Sequence, residues 1–84
     1  MADENELMEF ARAAENGDVG ELKKLLGNGV DVNEKPTKGM SALMLAAEKN
    51  HLDAVKFLLR KGADPKAKDL DSMTTLHIAA LNGN

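Results

Sequence analysis

The chain has 84 residues, a hydrophobic fraction of 43% and a formal net charge of −3, so it has room for one folded domain. Its acidic and basic residues are interspersed, which argues against nucleic-acid binding. Its acidic start argues against a secretory signal, and no apolar run reaches the ~20 residues that span a bilayer. Cysteine is absent and aromatic residues make up 2%, so leucine and alanine must fill the core, which favours closely packed helices. A cytoplasmic or nuclear location is expected.

The first predicted element is a helix from Glu6 to Glu15, which an Asn-Gly pair ends. Asp18 then caps a second helix that runs to about Asn28, and Glu21, three residues after the cap, completes a capping box. The chain therefore opens with two short helices joined by a turn.

A similar pair of helices follows. Ser41 is a predicted N-cap for a helix from Ala42 to Lys49, in which Leu43, Ala46 and Ala47 have the i, i+3, i+4 spacing of one buried face. An Asn-His pair breaks this helix before the next one begins.

The fourth predicted helix covers about Leu52 to Lys61. Its buried stripe is predicted to contain Val55, Leu58 and Leu59. Gly62 ends it as a residue that can adopt a positive φ.

Two segments, Gly29–Met40 and Gly62–Met73, lack a helical stripe. They contain Pro36, Gly39 and Pro65, which favour turns over regular helix. Both segments are predicted to be extended turn loops.

The two halves of this pattern repeat each other with a period of about 33 residues. At that shift 13 of 51 aligned pairs are identical, where ordinary composition would give roughly 3. The matches need no insertion, and they include the Ala pairs at 13–14, 46–47 and 79–80 and the Leu pairs at 25–26 and 58–59. We predict one domain, 1–84, with repeat 1 at about 6–38, repeat 2 at about 39–71 and a partial repeat 3 at about 72–84.

The repeat resembles the ankyrin repeat family. The similarity lies in the Gly-Ala-Asp turn at 62–64 and in the Thr-Thr-Leu-His-Ile-Ala-Ala run at 74–80. Repeat 2 departs from the family pattern at 41–44, where it lacks both Pro and His, and Thr75 stands where Pro is usual. The resemblance implies an all-α solenoid of helix-turn-helix pairs joined by β-hairpin-like loops, with no cofactor and no enzymatic activity.

The resemblance also implies that the chain binds another protein through its hairpin tips and the concave side of its first helices. This binding surface contains Lys35, Lys38, Lys49 and Lys68, which suggest a partner with a partly acidic surface. Two interpretations of Met40 and Met73 stay open. Either they are partly buried against the neighbouring hairpin, or they form the apolar centre of the binding surface. Carried over by position, the partner-binding residues are Lys35, Thr37, Lys38, Met40, Glu48, Lys49, Lys68, Leu70, Asp71, Met73, Leu81 and Asn82.

Other polar residues have simpler interpretations than catalysis. The resemblance makes His77 structural, bonded to the Thr74 hydroxyl and a backbone carbonyl, and His51 structural in its inter-helix turn. A two-histidine metal site lacks a third ligand. The acidic run that begins at Asp69 lacks the central Gly and closing Glu of a calcium loop, so a solvated turn is predicted there.

Asn33 is a candidate modification site by resemblance alone. Some ankyrin repeats are hydroxylated at the hairpin Asn by a 2-oxoglutarate-dependent asparaginyl hydroxylase, and Leu25, Asp31 and Val32 precede Asn33 in the fitting pattern. The alternative, which we favour, is that Asn33 stabilises its turn.

The third repeat contains Leu76, Ile78 and Leu81 but no following helix to cover them. We therefore expect either a piece of a longer protein or self-association through this uncapped repeat. Two functions stay open, a free-standing regulator or scaffold and an N-terminal targeting or assembly module of a larger enzyme, channel or scaffold. An autonomous enzyme is the third, weakest alternative, because no nucleophile, metal or phosphate-binding arrangement is present.

Overall fold

The computed structural model describes residues 3–36 and 39–81, and within them every regular element is a helix. This confirms the predicted all-α class. In chain order the helices are α1 (Glu4–Asn16), α2 (Val19–Gly27), α3 (Ala42–Glu48), α4 (Leu52–Arg60) and α5 (Thr75–Leu81). None of these helices is long and apolar enough to cross a membrane.

The two N-terminal helices begin at aspartate caps. Asp3 accepts a hydrogen bond from the Glu6 backbone N–H at 2.8 Å and forms a reciprocal capping box with Glu6, so α1 starts earlier than predicted, at Glu4. Asp18 accepts from the Glu21 N–H at 3.1 Å. The second half of the predicted box does not form, because the Asp18 N–H already donates to the Ala13 carbonyl at 2.9 Å.

The central helix is buried on nearly all sides. The Ser41 hydroxyl accepts from the Met44 N–H at 3.3 Å, which confirms the predicted cap. Residues 42–47 are all buried, since α3 packs against α1, α4 and α5. The first helices of the two neighbouring repeats, α1 and α5, both pack against α3. Small alanine side chains allow them to approach it closely.

The predicted stripe of α4 is wrong at one position. Leu58 is buried and Val55 half-buried, but Leu59 is 43% exposed. The buried face contains Ala54 and Phe57 instead, so it is rotated by about one residue from the prediction.

The repeat explains why the two leucines of each pair differ. Leu25 and Leu58 point into the core and are almost fully buried. Leu26, at the phase of Leu59, is half-buried at the core, and α2 packs against α4 of the following repeat. Leu59 is exposed because no described helix packs on its outer side.

The last helix is attached through one side. Ile78 is its one buried residue among those described, whereas Leu76 and Leu81 are 77% and 76% exposed. Its start is capped, since the Thr74 hydroxyl accepts from the His77 N–H at 3.4 Å. No regular helix forms in the predicted loop 62–73 or in the described residues 29–36 and 39–40 of the other predicted loop. Gly62, at φ +94°, follows the end of α4 as expected.

Candidate partner-binding surface

Each loop begins with an aspartate that organises its turn. The Asp31 carboxylate accepts from the Asn33 N–H at 2.9 Å, and Asp64, at the same phase of the next repeat, accepts from the Lys66 N–H at 2.9 Å. These local bonds satisfy backbone donors that have no partner in a helix. The turn at the start of each loop therefore has the same hydrogen bond in both repeats.

Asp69 stabilises the tip of the second hairpin. Its carboxylate accepts from the N–H groups of Asp71 and Met73 at 2.8 and 2.9 Å, and its own N–H donates to the Met73 carbonyl at 2.9 Å. This is the solvated turn predicted for the segment. In the described part of the chain no three histidine, aspartate or glutamate side chains form a cluster that could hold a metal ion.

Hydrogen bonds join the first hairpin to the second. The Asn33 amide donates to the Gly62 carbonyl at 3.3 Å and accepts from the Asp64 N–H at 2.8 Å. The Lys35 ammonium donates to the Lys68 carbonyl at 2.7 Å. We call these three bonds the hairpin clasp, and they hold the two loops side by side.

Gly39 of the first loop also lies close to Leu70 of the second loop. Gly39 has φ +70°, and a Cβ atom added to it would lie 2.8 Å from Leu70 Cγ. Glycine is therefore required at this position both by the backbone conformation and by the close approach of Leu70. The described residues of the two loops are therefore in contact at Gly39 as well as at the clasp.

The predicted site residues lie on two kinds of element. The two loops contain Lys35, Met40, Lys68, Leu70, Asp71 and Met73, and the ends of the helices α3 and α5 contain Glu48, Lys49 and Leu81. Met40 and Met73 are half-buried, and Met40 packs against the core. Partial burial therefore explains in part why methionine recurs at this position of the repeat. Thr37, Lys38 and Asn82 lie outside the described residues. The exposed members of the set are Lys35, Glu48, Lys49, Lys68, Leu70, Asp71 and Leu81.

The histidines have structural partners. His77 Nδ1 accepts from the Thr74 hydroxyl at 2.8 Å and faces the Thr74 N–H at 3.3 Å. The hydroxyl contact was predicted, but the second partner is this N–H and not a carbonyl. His51 Nε2 lies 2.8 Å from the Glu15 carbonyl oxygen, so it ties repeat 2 to repeat 1.

Sequence reasoning missed a shallow groove at the N-terminal side of the surface. Met8, Arg12, Glu15 and Pro36 border an open hollow of about 450 Å³, and Met8 is 60% exposed. Met8 stands at the phase where repeats 2 and 3 have a hydroxyl residue. An apolar residue in place of a cap was the signal that could have revealed it.

Comparison with known proteins agrees with this architecture. A family model described as ankyrin repeats (3 copies) matches residues 10–84, which is most of the chain. No curated protein matches it. With helix pairs recurring at one fixed period and hairpins aligned side by side, the chain belongs to the ankyrin repeat family.

Proposed function

We propose that this chain binds a partner protein through its two hairpins and the exposed side of its first helices. Ankyrin repeats are in general protein–protein interaction modules. The observation that carries the proposal is the hairpin clasp, in which Asn33 and Lys35 hold both loops in one orientation. A surface ordered before binding loses less conformational entropy when the partner docks.

The apolar part of this surface contains two leucines. Leu70 at the hairpin tip is 79% exposed, and Leu81 on the first-helix side is 76% exposed. Leu70 lies between Asp69 and Asp71 in the sequence, and such a mixture of apolar and charged residues is typical of a non-obligate interface. Leu70 and Leu81 are therefore the proposed apolar anchors.

The charges of the proposed surface favour a partner that is partly acidic. Lys35, Lys49 and Lys68 are exposed, and Lys38 belongs to the same set. Glu48 and Asp71 add negative charge, so the surface is mixed and not uniformly basic. Such charges contribute mainly to the rate of association and to specificity.

The test begins with capture of the partner from cell extract by the wild-type chain and by a variant altered at Lys38, Leu70 and Met73. A protein retained by the first and lost by the second is then titrated by calorimetry. We expect Leu70→Ala to weaken binding about tenfold or more, as for a central anchor. Leu52→Ala is the control, because Leu52 is also exposed but lies on α4. Unchanged affinity of Leu70→Ala would remove that residue from the site.

The number of partners decides between a regulator and a scaffold. A regulator that sequesters one protein saturates with that protein alone. A scaffold holds two proteins at once on different parts of the stack. Competition between captured proteins for the Leu70 surface distinguishes these two forms of the proposal.

Asn33 remains a proposed hydroxylation site by resemblance to the family. Its side chain has a structural role that differs from the predicted one, because the amide nitrogen and the amide oxygen both bond to repeat 2 and not within its own turn. A hydroxylase would have to open the clasp to reach this side chain. Intact mass after incubation with such an enzyme tests this. A gain of one oxygen, about 16 Da, assigns the site, and no gain leaves Asn33 with its structural role.

We also propose that the third repeat allows the chain to associate with itself. Leu76, at the phase of the fully buried Phe10 and Leu43, is 77% exposed. An exposed apolar side chain at the end of a repeat stack favours association.

A further inference from the structure

Two asparagine–glycine pairs lie in the described residues, at 16–17 and at 28–29. This dipeptide is prone to deamidation, because glycine has no side chain to hinder the attack of its backbone nitrogen on the asparagine amide. The other described asparagines precede residues that have a side chain, and they are Asn5, Asn33 and Asn50. A third pair, at 82–83, lies outside the described residues. The two described pairs have the same residue types, so a difference between them must come from their surroundings.

Deamidation requires the backbone of the pair to leave its folded geometry. The glycine nitrogen loses its proton to water and bonds to the asparagine Cγ, and the Cγ–Nδ2 bond breaks with release of ammonia. Water then opens the cyclic imide at either of its carbonyls and leaves aspartate or isoaspartate. The sum is conversion of an amide and water to a carboxylate and ammonium. The rate therefore follows the ease of local opening at each pair.

The hydrogen bonds within the two turns are nearly the same. The N–H of Gly17 donates to the Ala14 carbonyl at 3.2 Å, and the N–H of Gly29 donates to the Leu26 carbonyl at 3.2 Å. The following N–H bonds five residues back in both turns, at 2.9 Å after Gly17 and at 3.2 Å after Gly29. Both asparagine side chains are exposed. Neither the local bonding nor the exposure of the side chains separates the pairs.

The surroundings of the pair 16–17 hold it closed. Asn16 is the last residue of α1, and Gly17 is half-buried with the His51 ring against it. The His51 Nε2 atom lies 2.8 Å from the Glu15 carbonyl oxygen. Asp18, directly after the pair, caps α2. Opening of this turn would have to displace a side chain of repeat 2 and disturb the joint between two helices.

The pair 28–29 has no such support. Asn28 lies beyond α2 as its C-cap. Gly29 is exposed, and no described atom lies within 4 Å of a Cβ atom added to it. Val30 is buried in the core, so the opening is confined to Asn28 and Gly29. This opening breaks the bonds of its own turn and no contact with repeat 2.

We propose that Asn28 is a site of spontaneous deamidation in the folded chain, and that His51 protects the matched pair at 16–17 from the same reaction. The product carries one more negative charge at the C-terminal end of α2, where the helix dipole disfavours a carboxylate. The modified residue lies directly before the loop that contains the clasp residues Asn33 and Lys35. The reaction needs water and no enzyme, so it is independent of partner binding and of hydroxylation.

Incubation of the wild-type chain at mildly alkaline pH tests the proposal. Ion exchange separates the more negative product, and peptide mapping assigns the gain of about 1 Da to position 16, 28 or 82. We expect Asn28 to react about fivefold faster than Asn16 or more, because opening there leaves the His51 hydrogen bond intact. Aspartate and isoaspartate are both expected at position 28. In unfolding concentrations of urea, the two rates should become similar. Equal rates in the folded chain, a faster reaction at Asn16, or no reaction at Asn28 overturns the proposal.

His51→Ala tests the protection directly. It should raise the rate at Asn16 about fivefold, since it removes the ring and its hydrogen bond, and leave the rate at Asn28 unchanged. His77→Ala is the matched control, because His77 bonds within repeat 3 and does not contact Gly17. Circular dichroism shows that both variants keep their helices. No acceleration at Asn16, or equal acceleration at both positions, would show that His51 does not protect the pair.

Discussion

Gly17 and His51 illustrate how single residues join the repeats. Gly17 has φ +68°, and a Cβ atom on it would lie 2.6 Å from the His51 ring. That ring reaches the Glu15 carbonyl with Nε2 at 2.8 Å, so it satisfies a carbonyl at the end of α1. The turn therefore needs glycine for its backbone and for the space that the imidazole occupies.

We predict that Gly17→Ala destabilises the fold by about 2 kcal/mol or more, since alanine is disfavoured at positive φ and would displace His51. Urea unfolding followed by circular dichroism measures this change. Gly27→Ala is the matched control, because Gly27 ends α2 with nothing within 4 Å of an added Cβ atom. It should be neutral or stabilise by up to about 1 kcal/mol through helix propensity. Equal effects of the two changes would contradict the proposed role of Gly17.

At the scale of the elements, the start of α5 combines a helix cap with a buried polar group that lacks a partner in the described residues. Thr74 caps the helix and bonds to His77. The hydroxyl of Thr75, the first helical residue, is buried without a hydrogen-bond partner in the described part of the chain. A buried unsatisfied hydroxyl costs free energy, so this position weakens α5.

We predict that Thr75→Pro stabilises α5 by about 0.5–1 kcal/mol. Proline suits the first position of a helix, where the backbone N–H lacks a helical partner anyway, and the change removes the unsatisfied hydroxyl. Hydrogen exchange of the Ile78 amide measures the gain, because this amide bonds to the Thr74 carbonyl. Thr75→Ala separates the two causes, since it removes the hydroxyl alone. Faster exchange in the proline variant would show that the native backbone cannot accommodate it.

The elements themselves could be predicted closely because their signals are local. Ser41 and Asp18 are helix caps, and each acts on an amide three residues later, as expected. The predicted start of α1 at Glu6 is too late, because Asp3 and Glu6 form a capping box and the helix begins at Glu4. The error at Leu59 has a different cause, because its environment depends on the neighbouring repeat.

At the scale of the whole molecule, leucine at the same position of repeats 2 and 3 has two different environments. Leu43 on α3 is fully buried, because α3 packs against α1, α4 and α5. Leu76 on α5 is 77% exposed, because α5 packs mainly on α3. The stack therefore does not bury each repeat equally, and stability is expected to be concentrated in repeats 1 and 2.

We predict that Leu43→Ala destabilises the chain by about 2–5 kcal/mol, the usual cost of a cavity in a core. Leu76→Ala should change the stability by less than about 0.5 kcal/mol at low protein concentration, where only the monomer is present. The midpoint of urea unfolding compares the two variants directly. A large loss in Leu76→Ala would mean that α5 packs through more of its surface than Ile78.

The sequence by itself determined the family, the period, the helix pairs and the glycine turns, because these depend on contacts that recur once in every repeat or on neighbours a few positions apart. The tertiary structure decided how the repeats meet. It showed that Asn33 and Lys35 clasp the next hairpin, that His51 holds the end of α1, and that Leu59 and Leu76 face outward. The exposure of a side chain at a given phase depends on whether another helix packs beside it, and that is a property of position in the stack and not of residue type.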